Sequence, residues 1–242
     1  MNELRRNINI SSQIGGGVEP INIDNYLTIV ALEDGLTAAL SGNTVEYCVD
    51  GDGNWKTLSS NTNSESINKG QTLSFRGNLT PASYEGVGTF KISKSCDLTG
   101  NCNSLLFGDD AKTNLSLNGK NYAFYMLFYN CSTIKNVSTN FLPATTLASR
   151  CYNYMFVGCI SLTTAPELPA TILKFECYCY MFDGCSKLNY IKAMFTTTPE
   201  GDYTGSWVSG VAKSGTFVKN KNATWNLTGT SGIPSGWTVQ TA

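Results

Sequence analysis

Residues 151–176 read CYNYMFVGCISLTTAPELPATILKFE, and at Cys177 the chain starts the same phrase again as CYCYMFDGCSKLNYIKAMF. The copies align at Cys151/Cys177, Met155/Met181, Phe156/Phe182, Cys159/Cys185 and Leu162/Leu188, a period of 26 residues. A looser copy precedes them. It carries Phe128, Cys131 and Ile134, then Leu142-Pro143-Ala144-Thr145-Thr146-Leu147 against the later Leu168-Pro169-Ala170-Thr171-Ile172-Leu173. A period in the range of roughly 20–50 residues marks repeat architectures, because one copy cannot hide its apolar side alone and must stack on its neighbours. The expectation for residues 96–242 is a solenoid with atypical caps.

Within each copy, the Tyr-Met-Phe-x-x-Cys run suits one helical turn or a bent strand facing inward. Leu162-Thr163-Thr164-Ala165 then supplies a short extended segment, matched by Ile134–Val137 and Leu188–Ile191, whose two middle residues cannot both be buried. Upstream, Leu105-Leu106-Phe107-Gly108 reads as a degenerate copy that caps the stack. Downstream, Trp207–Val211 reads as a short helix, and Gly215–Val218 and Gly236–Val239 as closing strands. Trp207, Trp225 and Trp237 fall in this last stretch. Large rings covering an open end explain them, and a carbohydrate platform is the other reading.

The repeat also decides how the cysteines are read. The chain has nine, an odd number, and six of them (Cys131, Cys151, Cys159, Cys177, Cys179 and Cys185) lie in the repeats. Locked in phase with Met, Phe and Leu, they are expected to pack as reduced core thiols. Zinc is not expected, since Cys177-x-Cys179 lacks a partner pair and there is no histidine.

Before the repeats the pattern changes. Residues 26–95 show short alternating runs at Leu27–Ala31, Val45–Val49 and Leu73–Phe75, separated by turn signals at Asp34-Gly35, Gly42-Asn43, Asp50–Asn54, Lys69-Gly70 and Gly77-Asn78. That spacing predicts a β-sandwich of the immunoglobulin-like kind. Asp50-Gly51-Asp52-Gly53-Asn54 invites a calcium reading, but the third carboxylate and the distant Glu of an EF-hand loop are missing, and a hairpin turn accounts for the same residues. Residues 1–25, with Arg5-Arg6 and then Gly15-Gly16-Gly17, read as a linker or an arm that inserts into a partner.

At the Phe-x-x-Cys-x-x-Leu core followed by Leu-Pro, the sequence resembles the BspA-type leucine-rich repeats of bacterial surface proteins. Phe156, Cys159, Leu162, Ala165, Leu168 and Pro169 carry the match. Phe128, Cys131, Ile134, Val137, Leu142 and Pro143 repeat it before them, and Phe182, Cys185, Leu188 and Ile191 after. The Pro-Ala-Thr-x-Leu copies and the closing Gly-Thr-Phe-Val-Lys-Asn-Lys…Gly-Trp-Thr-Val look like a subgroup from gut Bacteroidetes and their phages. The resemblance implies a curved β-solenoid displayed on a surface for adhesion or assembly. The lead MNELRRNINISSQ has no continuous apolar run and no small-residue cleavage site, so no secretory signal is expected there. That moves the expectation from the cell envelope towards a virion head or tail component, with a bacterial surface adhesin as the alternative.

Composition bounds the function classes. Charged residues make up 14% with a net charge of -1, so neither nucleic acid nor a membrane surface is an expected partner. Without histidine, the commonest activated Ser and Cys nucleophiles have no base. Glu167, Glu176, Asp183, Glu200 and Asp202 sit in no motif that sets a carboxylate separation, and no enzyme is expected. No catalytic residue, cofactor or metal is assigned. The expected binding face is two solvent columns, Lys135/Thr163/Asn189 and Asn136/Thr164/Tyr190, offered to a host-surface protein or glycan. The arm residues Arg5 and Arg6 are expected to dock on other virion proteins, and homo-oligomers are compatible with both roles.

Overall fold

The computed structural model describes residues 18–242. The expected arm residues Arg5 and Arg6 lie outside them. The molecule is mainly β, with its strands in three sheets. β1 (Leu27–Ala31), β3 (Val45–Val49), β4 (Lys56–Leu58), β5 (Thr72–Arg76), β7 (Cys96–Thr99) and β8 (Ile134–Val137) form one sheet in the order β4-β3-β5-β1-β7-β8. β2 (Ala38–Leu40) and β6 (Phe90–Ile92) form a separate antiparallel pair. β9 (Tyr190–Ala193), β10 (Thr216–Lys219) and β11 (Thr238–Thr241) form a parallel sheet. The segment 162–165 links the two larger sheets, through Thr163 N–H to Lys135 C=O at 3.2 Å on one side and the Thr164–Tyr190 bridge on the other.

The change from antiparallel to parallel pairing happens across β7. This strand runs antiparallel to β1 (Thr28 opposite Thr99, Ala31 opposite Cys96) and parallel to β8 (Asp97 opposite Asn136). A division of the chain at 95/96 therefore falls at the start of a strand shared by both halves. One apolar core runs unbroken from Leu27 to Trp237.

β1 does not alternate as its sequence suggests. It is flanked by β5 and β7, and Thr28 is as buried as Leu27 and Ile29. The hydroxyl of Thr28 is satisfied by Ser74 Oγ at 2.8 Å and by the Tyr26 carbonyl at 3.1 Å. Ser104, buried at the start of α1 (Ser104–Phe107), takes the Leu27 N–H at 2.8 Å and donates to the Phe75 carbonyl at 2.7 Å. Burial of these hydroxyls is tolerated because each has a partner.

The Tyr-Met-Phe-x-x-Cys runs are neither helical turns nor bent strands. Along 122–131, 150–159 and 176–185 the backbone N–H groups alternate in what they bond. One set closes tight turns inside the repeat, such as Tyr125 to Tyr122 at 3.1 Å and Met155 to Tyr152 at 3.2 Å. The other set reaches the next repeat: Phe124 to Cys151 at 2.7 Å, Phe128 to Met155 at 2.9 Å, Phe156 to Met181 at 2.9 Å and Phe182 to Trp207 at 2.8 Å. Every fourth residue turns a left-handed corner: Tyr122, Met126 and Asn130, then Arg150, Tyr154 and Gly158, then Glu176, Tyr180 and Gly184. A side chain at such a corner costs about 1–2 kcal/mol, and it interrupts both regular structures. The ladder between repeats holds the corners in place. Ser206 and Gly210 continue the rhythm, so Trp207–Val211 is a fourth run of turns and not a helix.

Side chains stack in register with this ladder. Phe128, Phe156 and Phe182 lie ring on ring at 5.4 and 5.7 Å, within 13° of parallel. The ring below Phe128 is Phe90 of β6, at 5.6 Å and 14°, and not Phe107, which sits in α1 and is only partly buried. The cap expected at Leu105–Gly108 is thus a helical turn off the stack, and the N-terminal half supplies the first layer. Phe124, Tyr152 and Tyr178 form a second column at 5.6 and 5.8 Å. At the far end Trp207, Trp225 and Trp237 are all at least nine-tenths buried, and each indole N–H reaches a backbone carbonyl. They close the core and offer no platform.

All nine cysteines are free and buried. Three of them repeat one contact: the thiols of Cys131, Cys159 and Cys185 donate to the carbonyls of Phe90, Phe128 and Phe156 at 3.0, 3.2 and 3.0 Å.

Candidate functional site

Of the two polar columns expected from the sequence, the structure joins some members and not others: Asn136 meets Thr163 of the other column and not Thr164. Lys135, Thr163 and Asn189 are joined through their backbones, with Asn189 N–H to Thr163 C=O at 2.9 Å following the Thr163–Lys135 bond. Thr164 and Tyr190 are bridged directly, and Thr216 of β10 extends their column. The side chains, however, largely bond one another. Asn136 gives both its backbone N–H and its amide to Asp97 Oδ1, at 3.1 and 2.9 Å, and its oxygen accepts from Thr163 Oγ1 at 3.0 Å. Lys135 Nζ reaches Ser161 Oγ at 3.4 Å. Nearby, Lys192 pairs with Glu167 at 3.0 Å. The face is an ordered polar ladder whose first two rungs are already satisfied.

A second surface was hidden from sequence reading. The left-handed corners carry large side chains at Tyr122, Arg150, Tyr154, Glu176 and Tyr180, and these meet in one row with Tyr125 and Tyr84. Consecutive ring centroids are 4.9 Å apart for Tyr84–Tyr122, 5.7 Å for Tyr122–Tyr125, 5.8 Å for Tyr125–Tyr154 and 4.6 Å for Tyr154–Tyr180. Tyr84 is 65% exposed and Tyr180 37%, so each end of the row is open. The counterpart of Tyr180 one repeat on is Ser206, too small to cover the ring.

Arg150 sits among these rings. Its guanidinium lies 5.6 Å from the Tyr84 centroid, 5.3 Å from Tyr122 and 5.0 Å from Phe175, distances at which a cation is attracted by an aromatic face. Nε donates to Glu176 Oε2 at 2.6 Å, Nη2 to Oε1 at 3.3 Å, and Nη1 to the Tyr122 hydroxyl. The Glu176 carboxylate holds the guanidinium above its ordinary pKa. Burial raises the Tyr125 and Tyr154 phenols, and the ion pair in the row is Arg150–Glu176. The sequence signal for it was present, in Tyr154 and Tyr180 recurring with the period, but that recurrence reads as packing until the corners are seen.

The Asp50–Asn54 loop is the hairpin between β3 and β4. Its carboxylates are engaged by the chain itself: Asp50 accepts from Gln71 Nε2 and Thr72 N–H at 2.7 and 2.8 Å, and Asp52 accepts from Asn54 N–H at 2.9 Å. Its glycines have a different reason. Residues 18–23 cross the turn, with Ile21 N–H bonded to Gly51 C=O at 2.9 Å. A Cβ on Gly53 would lie 2.4 Å from the Glu19 carbonyl oxygen. Residues 18–23 therefore lie at the β3–β4 turn, and β4 is the edge of the six-stranded sheet opposite β8. Trp55 beside this turn packs on Tyr26 at 5.0 Å and under the Arg76 guanidinium at 4.1 Å. Arg76 in turn bonds Glu46 and Asp109 at 2.8 and 2.9 Å.

No family model, no curated protein and no solved structure matches this chain.

Proposed function

We propose that the chain is a non-catalytic, surface-displayed recognition protein: an N-terminal β-sandwich followed by a short BspA-type leucine-rich-repeat solenoid, carried on a phage particle as a head or tail decoration or fibre subunit. In this reading the segment holding Arg5 and Arg6 docks on other virion proteins, and the repeats point outward to a host-surface protein or glycan. The observation that carries it is the course of residues 18–23, which cross Gly51 and Gly53 at the β3–β4 turn. An anchor at that turn leaves the strands from β8 to β11 free to project. The repeat-to-repeat ladder supports display as well, because it fixes the corners that bear Tyr122, Tyr154 and Tyr180. Rigid presentation lowers the ordering cost of binding.

Mass spectrometry of purified virions tests the location, with binding of particles by the full chain and by a chain lacking residues 1–25 as the test of the arm. The full chain is expected in virions and on particles, and the truncated chain on neither. Absence from virions together with surface labelling of intact bacteria overturns the virion reading in favour of a cell-surface adhesin.

A further inference from the structure

We infer that the tyrosine row around Arg150 is a binding site for a neutral, hydroxyl-rich oligosaccharide, an assignment that rests on the surface-recognition reading above. Three independent features converge there. First, Tyr84 is held in the left-handed region at φ 62°, where an aromatic residue rarely sits. Its loop is tied by Ala82 N–H to Gly86 C=O at 3.0 Å and Gly86 N–H to Ala82 C=O at 2.9 Å, and Gly86 is wedged where a Cβ would meet the carbonyls of Tyr122 and Tyr125 at 2.9 Å. Strain of that kind persists where the surroundings over-determine it, and here its effect is to stand a mostly exposed ring over the corner of Arg150.

Second, the exposed aromatic faces flank polar groups and not an apolar trough. Tyr84 and Phe175, 65% and 44% exposed, both lie beside the Arg150 guanidinium. Sugar rings offer apolar C–H faces to such rings and hydroxyls at their rims. Third, the Arg150–Glu176 pair uses only three of the five guanidinium N–H groups in its bonds to Glu176 and Tyr122, and with side chains 25% and 30% exposed it keeps spare donors and spare carboxylate lone pairs side by side. A vicinal diol both donates and accepts, so it matches the two together. A polyproline peptide offers carbonyl acceptors only and brings no donor to the carboxylate's spare lone pairs.

Charge decides between neutral and acidic sugars. The Arg150 cation is matched by Glu176, and the exposed charges beside the row in the chain, Glu85 next to Tyr84 and Lys174 next to Phe175, are of opposite sign. An anionic glycan gains no net positive charge here, and a neutral one loses nothing.

The test titrates the full chain with neutral gluco-, manno- and galacto-configured hexasaccharides, an oligogalacturonate and a polyproline peptide, following tyrosine resonances by NMR. Binding of a neutral hexasaccharide is expected, weakened roughly five- to tenfold in Tyr84→Ala and again in Tyr180→Ala. Both variants truncate exposed rings, and unchanged melting confirms that the fold is intact. Preference for the acidic sugar or the peptide overturns the inference, as does neutral-sugar binding that neither variant weakens. If the chain is found on virions and attaches to host cells while no neutral sugar binds, the oligosaccharide assignment falls and the display role stands. If it is found on neither virions nor cells, the display role itself falls.

Discussion

The thiol of Cys159 donates to the carbonyl of Phe128 in the preceding repeat at 3.2 Å, while the same carbonyl takes the Cys131 N–H at 3.1 Å. One oxygen thus serves the turn of its own repeat and the side chain of the next. Burial, which disfavours the thiolate, pushes Cys131, Cys177 and Cys185 up to about 12. Thiolate is the reactive form, so none of the nine cysteines is expected to react with Ellman's reagent in the native protein, and all nine after denaturation in guanidinium. Fast native labelling of any one would refute its placement. Cys159→Ala is expected to cost only about 1 kcal/mol, because the Phe128 carbonyl keeps its N–H partner.

The Phe124–Tyr152–Tyr178 column carries two hydroxyls that lack a partner, those of Tyr152 and Tyr178, on side chains that are at least 99% buried. An unsatisfied buried polar group costs about 1–3 kcal/mol. The column already accepts phenylalanine at its first position, Phe124. Tyr178→Phe is therefore expected to raise stability by about 1 kcal/mol in urea denaturation, against a loss of about 3–5 kcal/mol for Phe182→Ala in the neighbouring stack. Destabilisation by Tyr178→Phe would mean that the hydroxyl has a partner after all.

The period of 26 residues made the stacked columns legible, because Phe128/Phe156/Phe182 and Cys131/Cys159/Cys185 occupy equivalent positions whatever the backbone does. It left the backbone itself illegible. Left-handed corners are usually marked by glycine, and Gly158 and Gly184 do mark two, but Tyr122, Arg150, Tyr154, Glu176 and Tyr180 turn the same corner with full side chains. Nothing local in those residues announces it; the ladder to the next repeat imposes it. The layer beneath Phe128 is illegible for a similar reason. Phe107 has the right spacing along the chain, but Phe90 reaches the position through the β2–β6 pair, a contact that sequence periodicity does not encode.

Gly158 and Gly184 share the same corner at φ 70° and 74° but not the same surroundings. A Cβ on Gly184 meets nothing nearer than Gly158 at 3.7 Å, whereas one on Gly158 falls 2.2 Å from Asn130 Oδ1. Gly184→Ala is expected to cost about 1–2 kcal/mol from backbone strain alone. Gly158→Ala should cost more, and the excess should vanish in an Asn130→Gly background. Equal costs for the two alanines in the wild-type background would show that Asn130 does not press on that corner.

Tyr26 and Asp109 set a pH dependence at the junction of the first strand with the segment after α1. The Tyr26 hydroxyl donates to Asp109 Oδ1 at 2.7 Å. This bond, with the help of Arg76, lowers the Asp109 carboxyl, and burial together with Asp109 raises Tyr26 to about 12. A depressed carboxyl stabilises the fold above its unfolded pKa, near 4, and that contribution is lost as pH falls through the folded value. A raised phenol stabilises below its unfolded pKa, near 10, and its contribution is lost as pH rises towards about 12. Urea midpoints of Asp109→Asn and Tyr26→Phe should therefore lose part of the wild-type slope on the acid and the alkaline side respectively. The acid effect is the smaller one, because the Asp109 side chain is 64% exposed. Parallel profiles for wild type and both variants would rule the contact out as a pH-sensitive one.

Asn136 and Thr163 stand at the centre of the polar face that the repeat pattern marked for recognition, and their side chains are already joined at 3.0 Å, with Asp97 completing the chain of bonds at 2.9 Å. A ligand contacting Asn136 has to replace bonds that are already made, whereas one contacting Tyr180 meets an open ring. Asn136→Ala is expected to lower stability by about 0.5–1.5 kcal/mol, since it leaves Asp97 Oδ1 and Thr163 Oγ1 without that partner, and to leave attachment to host cells within a factor of about two. Tyr180→Ala is expected to reverse the pattern, with little change in melting and a several-fold loss of attachment. Loss of attachment in Asn136→Ala with none in Tyr180→Ala would return the recognition role to the polar columns.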